Sequence, residues 1–147
     1  MNYSAFKKTV WDYYTKHGRV FPWRHEKDPY KILVSEIMLQ QTQTDRVTKK
    51  YTDFRKRFPT ISSLAEAGKH EVLSLWQGLG YNRRALNLKR TAEILHEKYE
   101  GLLTSIILEK EKLPGIGDYT RGALLAFSWN IPTVCIETNI RTVFIYH

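Results

Sequence analysis

Apolar residues recur at helical spacing along most of the 147-residue chain, and this periodicity most limits what it can fold into. The clearest stripe begins at Ala85 and continues at intervals of three and four residues to Tyr99. Asp28 and Pro29 add an N-cap residue and a first-turn proline before another helical pattern. The only strand-like run is Thr133 to Ile136. The sequence therefore predicts an all-α fold.

The charge of the chain favours a polyanionic partner. Lys and Arg total 23 against 15 acidic residues, which gives a net charge of +8. Such an excess is typical of proteins that bind nucleic acid, although a basic protein without such a partner would have the same composition. The 42% hydrophobic content fits a packed globule rather than a disordered chain.

The cysteine, histidine and hydropathy patterns limit which kinds of site and which cellular compartment are expected. A single cysteine, Cys135, allows neither an intramolecular disulfide nor a cysteine cluster, and this fits a reducing compartment. The five histidines show no spacing typical of metal ligands, so no metal site is predicted. The sequence carries no signal-peptide pattern and no apolar run long enough to span a membrane. We therefore expect a cytoplasmic protein, nucleoid-associated in a prokaryote, without a membrane partner.

The segment "EKLPGIGDYTRGALLAF", residues 111–127, predicts a tight corner between two helices. Gly115 and Gly117 are expected to take positive φ and to leave backbone amides uncovered at the start of the second helix. Exposed amides at a helix N-terminus suit a DNA phosphate, and Arg121 adds positive charge one turn later. The alternative is an ordinary tight connection between helices.

Two glutamates are candidates for acid–base chemistry. Glu36 shares a helix face with apolar residues, so its carboxyl is either paired with Arg24 or Lys31 or kept desolvated with a raised pKa. Glu137 follows an apolar run and precedes a predicted helix start, where it either caps the helix or faces the same cleft. Two such carboxylates could together cleave an N-glycosidic bond, because one can protonate the leaving base while the other stabilises the sugar cation.

Five ordered motifs carry a family resemblance over nearly the whole chain. The motifs "FPWR", "DPYKILVSEIMLQQTQT", "WQGLGYNRRALNL", "LPGIGDYTRGALLAF" and "IETNIRTV" resemble the adenine-DNA glycosylase (MutY) branch of the helix-hairpin-helix glycosylases, or endonuclease III superfamily. The resemblance implies a six-helix barrel domain over residues 21–135, with its helix-hairpin-helix at about 106–127. It assigns residues 1–20 to a helix of an incomplete second domain and residues 136–147 to the start of a truncated return segment.

The resemblance also assigns roles at the site. Glu36 matches the general acid, Glu137 the aspartate that stabilises the cation, and Asn139 the asparagine that follows it. Tyr119 stands where lyase-competent relatives carry a Schiff-base lysine, so a monofunctional glycosylase is implied. Trp23 and Arg24 match the base-pocket wall. The expected DNA-binding residues are Gln40 and Gln41, which match residues that enter the duplex, Arg83 and Arg84, which flank the Gly80 turn, and Leu113, Gly115, Gly117, Thr120 and Arg121 of the hairpin.

Three features depart from the family pattern. Glu137 replaces the usual aspartate, and the extra methylene moves its carboxylate by about an ångström. Asn82 stands where adenine glycosylases often have a wedging tyrosine, so the stacking that supports 8-oxoguanine recognition would be lost. The chain stops at "RTVFIYH" before the family's four-cysteine iron–sulfur loop, so it looks like a fragment and no cofactor is expected in it.

The resulting prediction is a monofunctional DNA glycosylase of base excision repair. It would hydrolyse the N-glycosidic bond of a mispaired base, adenine in the first instance, extruded from double-stranded DNA, and act as a monomer. Two alternatives stay open. One is a thymine or uracil mismatch glycosylase, which "FPWRHEKDPY" and Tyr119 also resemble, and the other is a non-catalytic helix-hairpin-helix DNA-binding module.

Overall fold

The computed structural model describes residues 2–146 and confirms the all-α class. Over that range it contains helices and connecting segments but no strand. The strand-like run at residues 133–136 lies in an extended connection between the last two helices. Residue 147 of the predicted return segment lies outside the described residues. The helices are α1 (Tyr3–His17), α2 (Pro29–Leu39), α3 (Thr44–Arg57), α4 (Ile61–Glu66), α5 (Lys69–Trp76), α6 (Arg83–Tyr99), α7 (Ser105–Lys110), α8 (Asp118–Trp129) and α9 (Thr138–Tyr146).

Helix α2 is the central element of the core. The Asp28 side chain caps its first turn by accepting a hydrogen bond from Tyr30 N at 2.9 Å, as the Asp-Pro pattern predicts. Most of its residues are buried, because it packs against α3, α6 and α8. Large side chains from neighbouring helices, including Tyr51, Phe54 and Trp76, complete the same hydrophobic cluster. The end of this buried helix is therefore a rigid base for the turn that follows it.

Three connections meet around the C-terminal half of α2. These are the α2–α3 turn, the α5–α6 turn with its two glycines, and the α7–α8 hairpin. Helix α6 packs against α4, α5 and α2, and α8 packs against α2 and α7. Because each connection is attached to helices that share one core, the side chains on all three have fixed relative positions.

Helices α1 and α9 differ from the rest because neither contributes a buried residue. The Asn2 side chain caps α1 by accepting from Ser4 N at 3.1 Å. Contacts between α1 and the remainder include the guanidinium of Arg24, which lies 5.8 Å from the centre of the Tyr14 ring. These are partly exposed contacts, so the assignment of α1 and α9 to a second domain stays a prediction.

None of the helices in the described part of the chain is both long enough and apolar enough to cross a membrane.

Candidate active site and DNA-binding surface

Glu36 is a partly buried carboxyl on the second half of α2. Burial raises its pKa to about 7, and a weaker interaction with the Tyr119 side chain acts in the opposite direction. The two cations considered as partners are engaged elsewhere: Lys31 Nζ lies 3.3 Å from a Glu26 carboxylate oxygen, and Arg24 lies over aromatic rings. No ion pair within residues 2–146 includes Glu36. The desolvated alternative therefore describes this side chain.

Glu36 opens into a cleft of about 720 Å³ that gathers most of the predicted site residues. The wall combines α2, the start of α6, the start of α8 and the start of α9. Its lining residues are Glu36, Leu39, Gln40, Gln41, Tyr81, Arg83, Arg84, Asn87, Tyr119, Glu137 and Thr138. Residues separated by up to about a hundred positions in sequence thus face one space, which we call the main cleft.

A second cavity of about 690 Å³ lies on the other side of the same carboxyl. Glu36, Leu39 and Tyr119 line both spaces, so they form the partition between them. The expected base-pocket residues Trp23 and Arg24, together with Asn139, line only the second cavity. Trp23 stacks on Phe21 with ring centres 5.1 Å apart, which keeps its indole fixed. The site residues are therefore divided between two adjoining spaces.

Tyr119 and Cys135 lie beside the Glu36 carboxyl. Burial raises the pKa of the Tyr119 phenol, and the nearby carboxyl of Glu36 adds to the rise, so the phenol stays neutral. Cys135 Sγ lies 3.9 Å from Tyr119 O, and burial also raises the pKa of this thiol. Burial is therefore the cause of the raised pKa of Glu36, because the hydrogen bond with the Tyr119 side chain favours the ionised carboxyl.

Glu137 caps α9, which is the alternative considered from its sequence position. One carboxylate oxygen accepts from Ile140 N at 2.9 Å, and the other accepts from Asn139 Nδ2 at 3.2 Å. Capping does not remove the carboxylate from the main cleft, because Glu137 is also one of its lining residues. The two hydrogen bonds hold the Glu137 carboxyl group in place at the start of α9.

The α7–α8 hairpin is anchored by its apolar residues and by α6. Leu113 and Ile116 are buried, and Ile116 N donates to Leu113 O at 3.1 Å to close the turn. Thr91 Oγ1 donates to Pro114 O at 2.8 Å and fixes the turn to α6. Gly115 has the expected positive φ of 78°, and an added Cβ there would lie 3.1 Å from the Cβ of Asn87.

The expectation of positive φ at Gly117 is wrong. Its φ of −86° and ψ of −175° are extended values that any residue can adopt. An added Cβ at Gly117 would meet no atom within 4 Å, so the residue borders open space. The first backbone donor of α8 with an acceptor inside the helix is Arg121 N, which donates to Gly117 O at 2.9 Å. The amides of residues 118–120 precede that bond and form the N-terminal donor group of the helix.

Three hairpin residues expected at the DNA have side chains that contact the protein itself. Thr120 is buried, and its hydroxyl accepts from Gln40 Nε2 at 3.3 Å. The Leu113 side chain is part of the core, so only its backbone can take part. Arg121 is partly buried and donates through Nη2 to Glu111 O at 3.3 Å, which ties the helix to the start of the hairpin. For Thr120 and Arg121 the cause is their register on α8, which the motif does not reveal, whereas Leu113 lies in the turn before that helix.

The paired arginines after the Gly80 turn have different environments. Arg83 is exposed and lines the main cleft. The guanidinium of Arg84 instead hydrogen-bonds the protein's own backbone, with Nη1 2.8 Å from Ile37 O and Nη2 3.1 Å from Gly80 O. This geometry does not favour the phosphate contact predicted at Arg84, because both of its terminal nitrogens already have acceptors inside the protein.

Tyr81 is a candidate that the sequence interpretation missed. Its side chain is 66% exposed, it lines the main cleft next to Arg83, and its backbone has a positive φ of 48°. An exposed aromatic ring at a cleft rim can stack on a base. Tyr81 therefore supplies an aromatic ring one residue before Asn82, the position where the family often has tyrosine. An aromatic residue directly after Gly80 is the sequence feature that could have identified it.

The described residues do not fit an iron–sulfur cluster or another metal centre. A four-cysteine cluster cannot form from one cysteine, Cys135. Over residues 2–146, no group of three or more His, Cys, Asp or Glu side chains could hold a metal ion.

The family model for the HhH-GPD superfamily base excision DNA repair protein matches residues 34–147. The chain belongs to the HhH-GPD superfamily. The matched range begins in α2 and includes Glu36, the α2–α3 and α5–α6 turns and the α7–α8 hairpin.

Relatives of this HhH-GPD chain include named glycosylases. It is 44% identical to the adenine DNA glycosylase of Buchnera aphidicola subsp. Baizongia pistaciae (strain Bp), over 96% of this chain and 40% of that protein. It is 34% identical to the adenine DNA glycosylase of Homo sapiens, over 95% of this chain and 27% of that protein. The chain thus spans less than half the length of these relatives. A thermostable thymine-DNA glycosylase shares its fold with a TM-score of 0.88 and 29% identity, covering 96% of this chain and 65% of that one.

Proposed function

We propose that this chain carries the DNA-binding and base-excising core of a monofunctional DNA glycosylase that removes mispaired adenine from double-stranded DNA. The observation that carries the proposal is the Glu36 carboxyl, whose pKa of about 7 leaves about half of it protonated at neutral pH in a cleft of about 720 Å³. A carboxyl that still carries its proton near neutral pH, beside a space large enough for a base, is a suitable general acid. Several relatives named adenine DNA glycosylase support the choice of base.

The two carboxyls would act on opposite sides of one bond. Glu36 gives its proton to a ring nitrogen of the extruded base, and the electron pair of the bond between base and sugar leaves with that base. Glu137, held in place by two hydrogen bonds, stabilises the positive charge that develops on the sugar. Water then supplies the hydroxyl that replaces the base, and the proton that the water loses returns to the Glu36 carboxylate. Tyr119 has no amine, so no imine with the sugar forms and the DNA strand stays intact.

Duplex DNA would approach the face that carries the main cleft. Amides of residues 118–120 and the exposed Arg83 would contact phosphates, while Gln41 and Tyr81 would face the bases. A monomer acting in the cytoplasm on nucleoid DNA is part of this proposal.

Thymine or uracil mismatch excision is the second candidate, because a specific similarity favours it. The solved relative with a TM-score of 0.88 is a thermostable thymine-DNA glycosylase. Its identity to this chain is 29%, whereas the relatives named adenine DNA glycosylase reach 44%. The sequence similarity favours adenine, and the same experiment separates the two.

A panel of duplexes tests the proposed function. Duplexes with A, T or U opposite each base are incubated with excess protein and then treated with alkali, which cleaves the strand at abasic sites. We expect cleavage at A opposite G or opposite a damaged guanine. Glu36→Gln should abolish it while preserving binding, because the amide keeps the shape of the side chain but has no acidic proton. Glu137→Asp should retain or raise the rate, and Glu137→Gln should lower it.

Each result of the panel identifies a different function. Cleavage at T or U would favour the thymine or uracil branch. Binding without cleavage at any base would favour the non-catalytic DNA-binding module. Full activity in Glu36→Gln would overturn the mechanism even if adenine is the base removed.

A further inference from the structure

The guanidinium of Arg84 joins two turns that are about forty residues apart in sequence. At the end of α2 its Nη1 lies 2.8, 3.0 and 2.5 Å from three backbone carbonyl oxygens, those of Ile37, Met38 and Gln40. These carbonyls are acceptors that a helix C-terminus leaves without partners of its own. Arg84 therefore caps α2 from the side.

The other arm of the same guanidinium holds the turn before α6. Nη2 donates to Leu79 O and Gly80 O at 3.1 Å each, and to Thr42 Oγ1 at 3.0 Å. The guanidinium carbon lies 5.5 Å from the centre of the Trp76 ring and 5.6 Å from that of Tyr81. A planar group with two forked arms can bind both turns at once, which a point charge cannot do.

Each turn contains one non-glycine residue in the left-handed backbone region. These are Gln41, with a φ of 54°, and Tyr81, with a φ of 48°. The carbonyl directly before each of them, Gln40 O and Gly80 O, accepts from Arg84. A side chain makes this backbone region unfavourable, so the conformation persists only where its surroundings stabilise it. The hydrogen bonds of Arg84 stabilise this conformation in both turns.

Gln41 and Tyr81 are exposed and line the main cleft together. Their side chains have complementary chemistry for an opened base pair, because an amide hydrogen-bonds to base edges and an aromatic ring stacks on a base face. Both act on the same step of the duplex only if their backbones keep a fixed separation.

We propose that Arg84 is a positioning residue that holds Gln41 and Tyr81 as a pair for insertion at a mismatched site in the duplex. This role rests on the proposed function, because it concerns how that site distinguishes a mismatched duplex from a matched one. Arg84 acts through the two turns and touches neither base nor phosphate.

Arg84→Lys is the test variant, since it keeps the charge and most of the stem but removes the fork. Arg83→Lys is the matched control, because Arg83 is the exposed neighbour on the same helix. Hydrogen exchange is measured first, without DNA. In Arg84→Lys we expect faster exchange at residues 40–43 and 79–82 together, with unchanged protection in the hairpin at residues 113–117. Arg83→Lys should leave both turns unchanged.

The second measurement is the ratio of affinities for a mismatched and a matched duplex of the same length at the same salt. If the paired geometry is present about a tenth of the time in Arg84→Lys, its apparent affinity for the mismatch falls about tenfold, with little change for the matched duplex. A residue that only supports the fold would not change this ratio in a protein that stays folded. Arg83→Lys should change both affinities alike.

Several outcomes would overturn the proposal. They are loosening of one turn alone, an unchanged ratio after both turns loosen, and an equal loss of both affinities, which would indicate a phosphate contact. Should Arg84→Lys fail to fold, Thr42→Val carries both measurements, because it removes one acceptor of the guanidinium and keeps Arg84. A ratio of one in the unaltered chain would contradict the mismatch function itself, and the role of Arg84 with it. A ratio of one would be seen in the unaltered chain, before any variant is made. Failure of the proposed function can therefore be distinguished from failure of the role proposed for Arg84.

Discussion

Glu36 shows how a single buried carboxyl can serve chemistry at the expense of stability. Burial raises its pKa from 4.5 to about 7, so the folded state binds the proton more tightly than the unfolded state does. The stabilising contribution of the protonated form is complete below pH 4.5 and is lost as the pH rises through about 7. At neutral pH the protein therefore carries an unfavourable group in the position where a general acid is required.

We expect Glu36→Gln to stabilise the chain at alkaline pH. The pKa difference corresponds to up to about 3 kcal/mol of unfolding free energy above pH 7, which the neutral amide would recover. Urea unfolding between pH 5 and pH 9 measures it, and the variant should show a flatter pH profile. The exposed Glu109→Gln is the control and should leave the profile unchanged. Parallel profiles for Glu36→Gln and the unaltered chain would contradict the burial of this carboxyl.

At the scale of elements, the α7–α8 hairpin contains two glycines, and only one of them needs to be glycine for the fold. Gly115 needs to be glycine because its φ is positive and Asn87 lies against it. Gly117 has ordinary backbone angles and open space beside it, so any requirement for glycine there concerns what approaches from outside.

Gly117→Val should therefore fold and lose DNA affinity. Its added methyl groups would cover the amides at the start of α8, so binding to matched and mismatched duplexes should weaken equally. Gly68→Val is a matched control, because Gly68 is also an N-cap residue with extended backbone and no atom within 4 Å of an added Cβ. Fluorescence anisotropy gives the affinities, and thermal unfolding shows whether both variants lose similar stability. Equal affinity in the two variants would argue against a phosphate site at the hairpin.

Helices α1 and α9 should be the least protected elements. Neither buries a residue, so opening either helix exposes little apolar surface. Hydrogen exchange should therefore be fast in both and slow in α2, most of whose residues are buried. Protection at residues 4–16 equal to that of α2 would instead indicate that α1 is integral to this fold.

Sequence patterns predicted the helices, because periodicity and caps reflect which side of a helix is buried, and the family resemblance predicted that Glu36, Glu137 and Tyr119 share one site. Neither could predict the contacts of Arg84 inside the protein, since most of its partners are backbone carbonyls and every residue has one. Register also hid the burial of Thr120, which lies between the exposed Tyr119 and the partly buried Arg121. The family motif predicts the stacking aromatic residue at the position of Asn82, whereas the exposed ring belongs to Tyr81. Which backbone carbonyls accept a side-chain hydrogen bond, and which non-glycine residues adopt a left-handed conformation, can be seen only in the three-dimensional structure.

The whole molecule carries a net charge of +8, which should make duplex binding steeply dependent on salt. Each phosphate neutralised by a cationic side chain contributes a slope of about −0.9 in a plot of log affinity against log salt. Arg83→Gln should reduce the slope by about one. Arg90→Gln is the control, because Arg90 lies on the same helix, pairs with Glu93 and is not part of the main cleft. An affinity that does not vary with salt would contradict DNA as the partner.

The contacts of Arg84 also restrict how this molecule can be altered or redesigned. One guanidinium spans two loops, so the loops and the arginine form a single unit of sequence change. A loop transplanted alone from a related scaffold would bring a backbone whose carbonyls no longer meet the donor. An insertion in one loop would disturb the other, forty residues away. Engineers who wish to change the preferred base should therefore exchange both loops and the arginine together, and libraries that vary one loop at a time should yield few folded, selective variants.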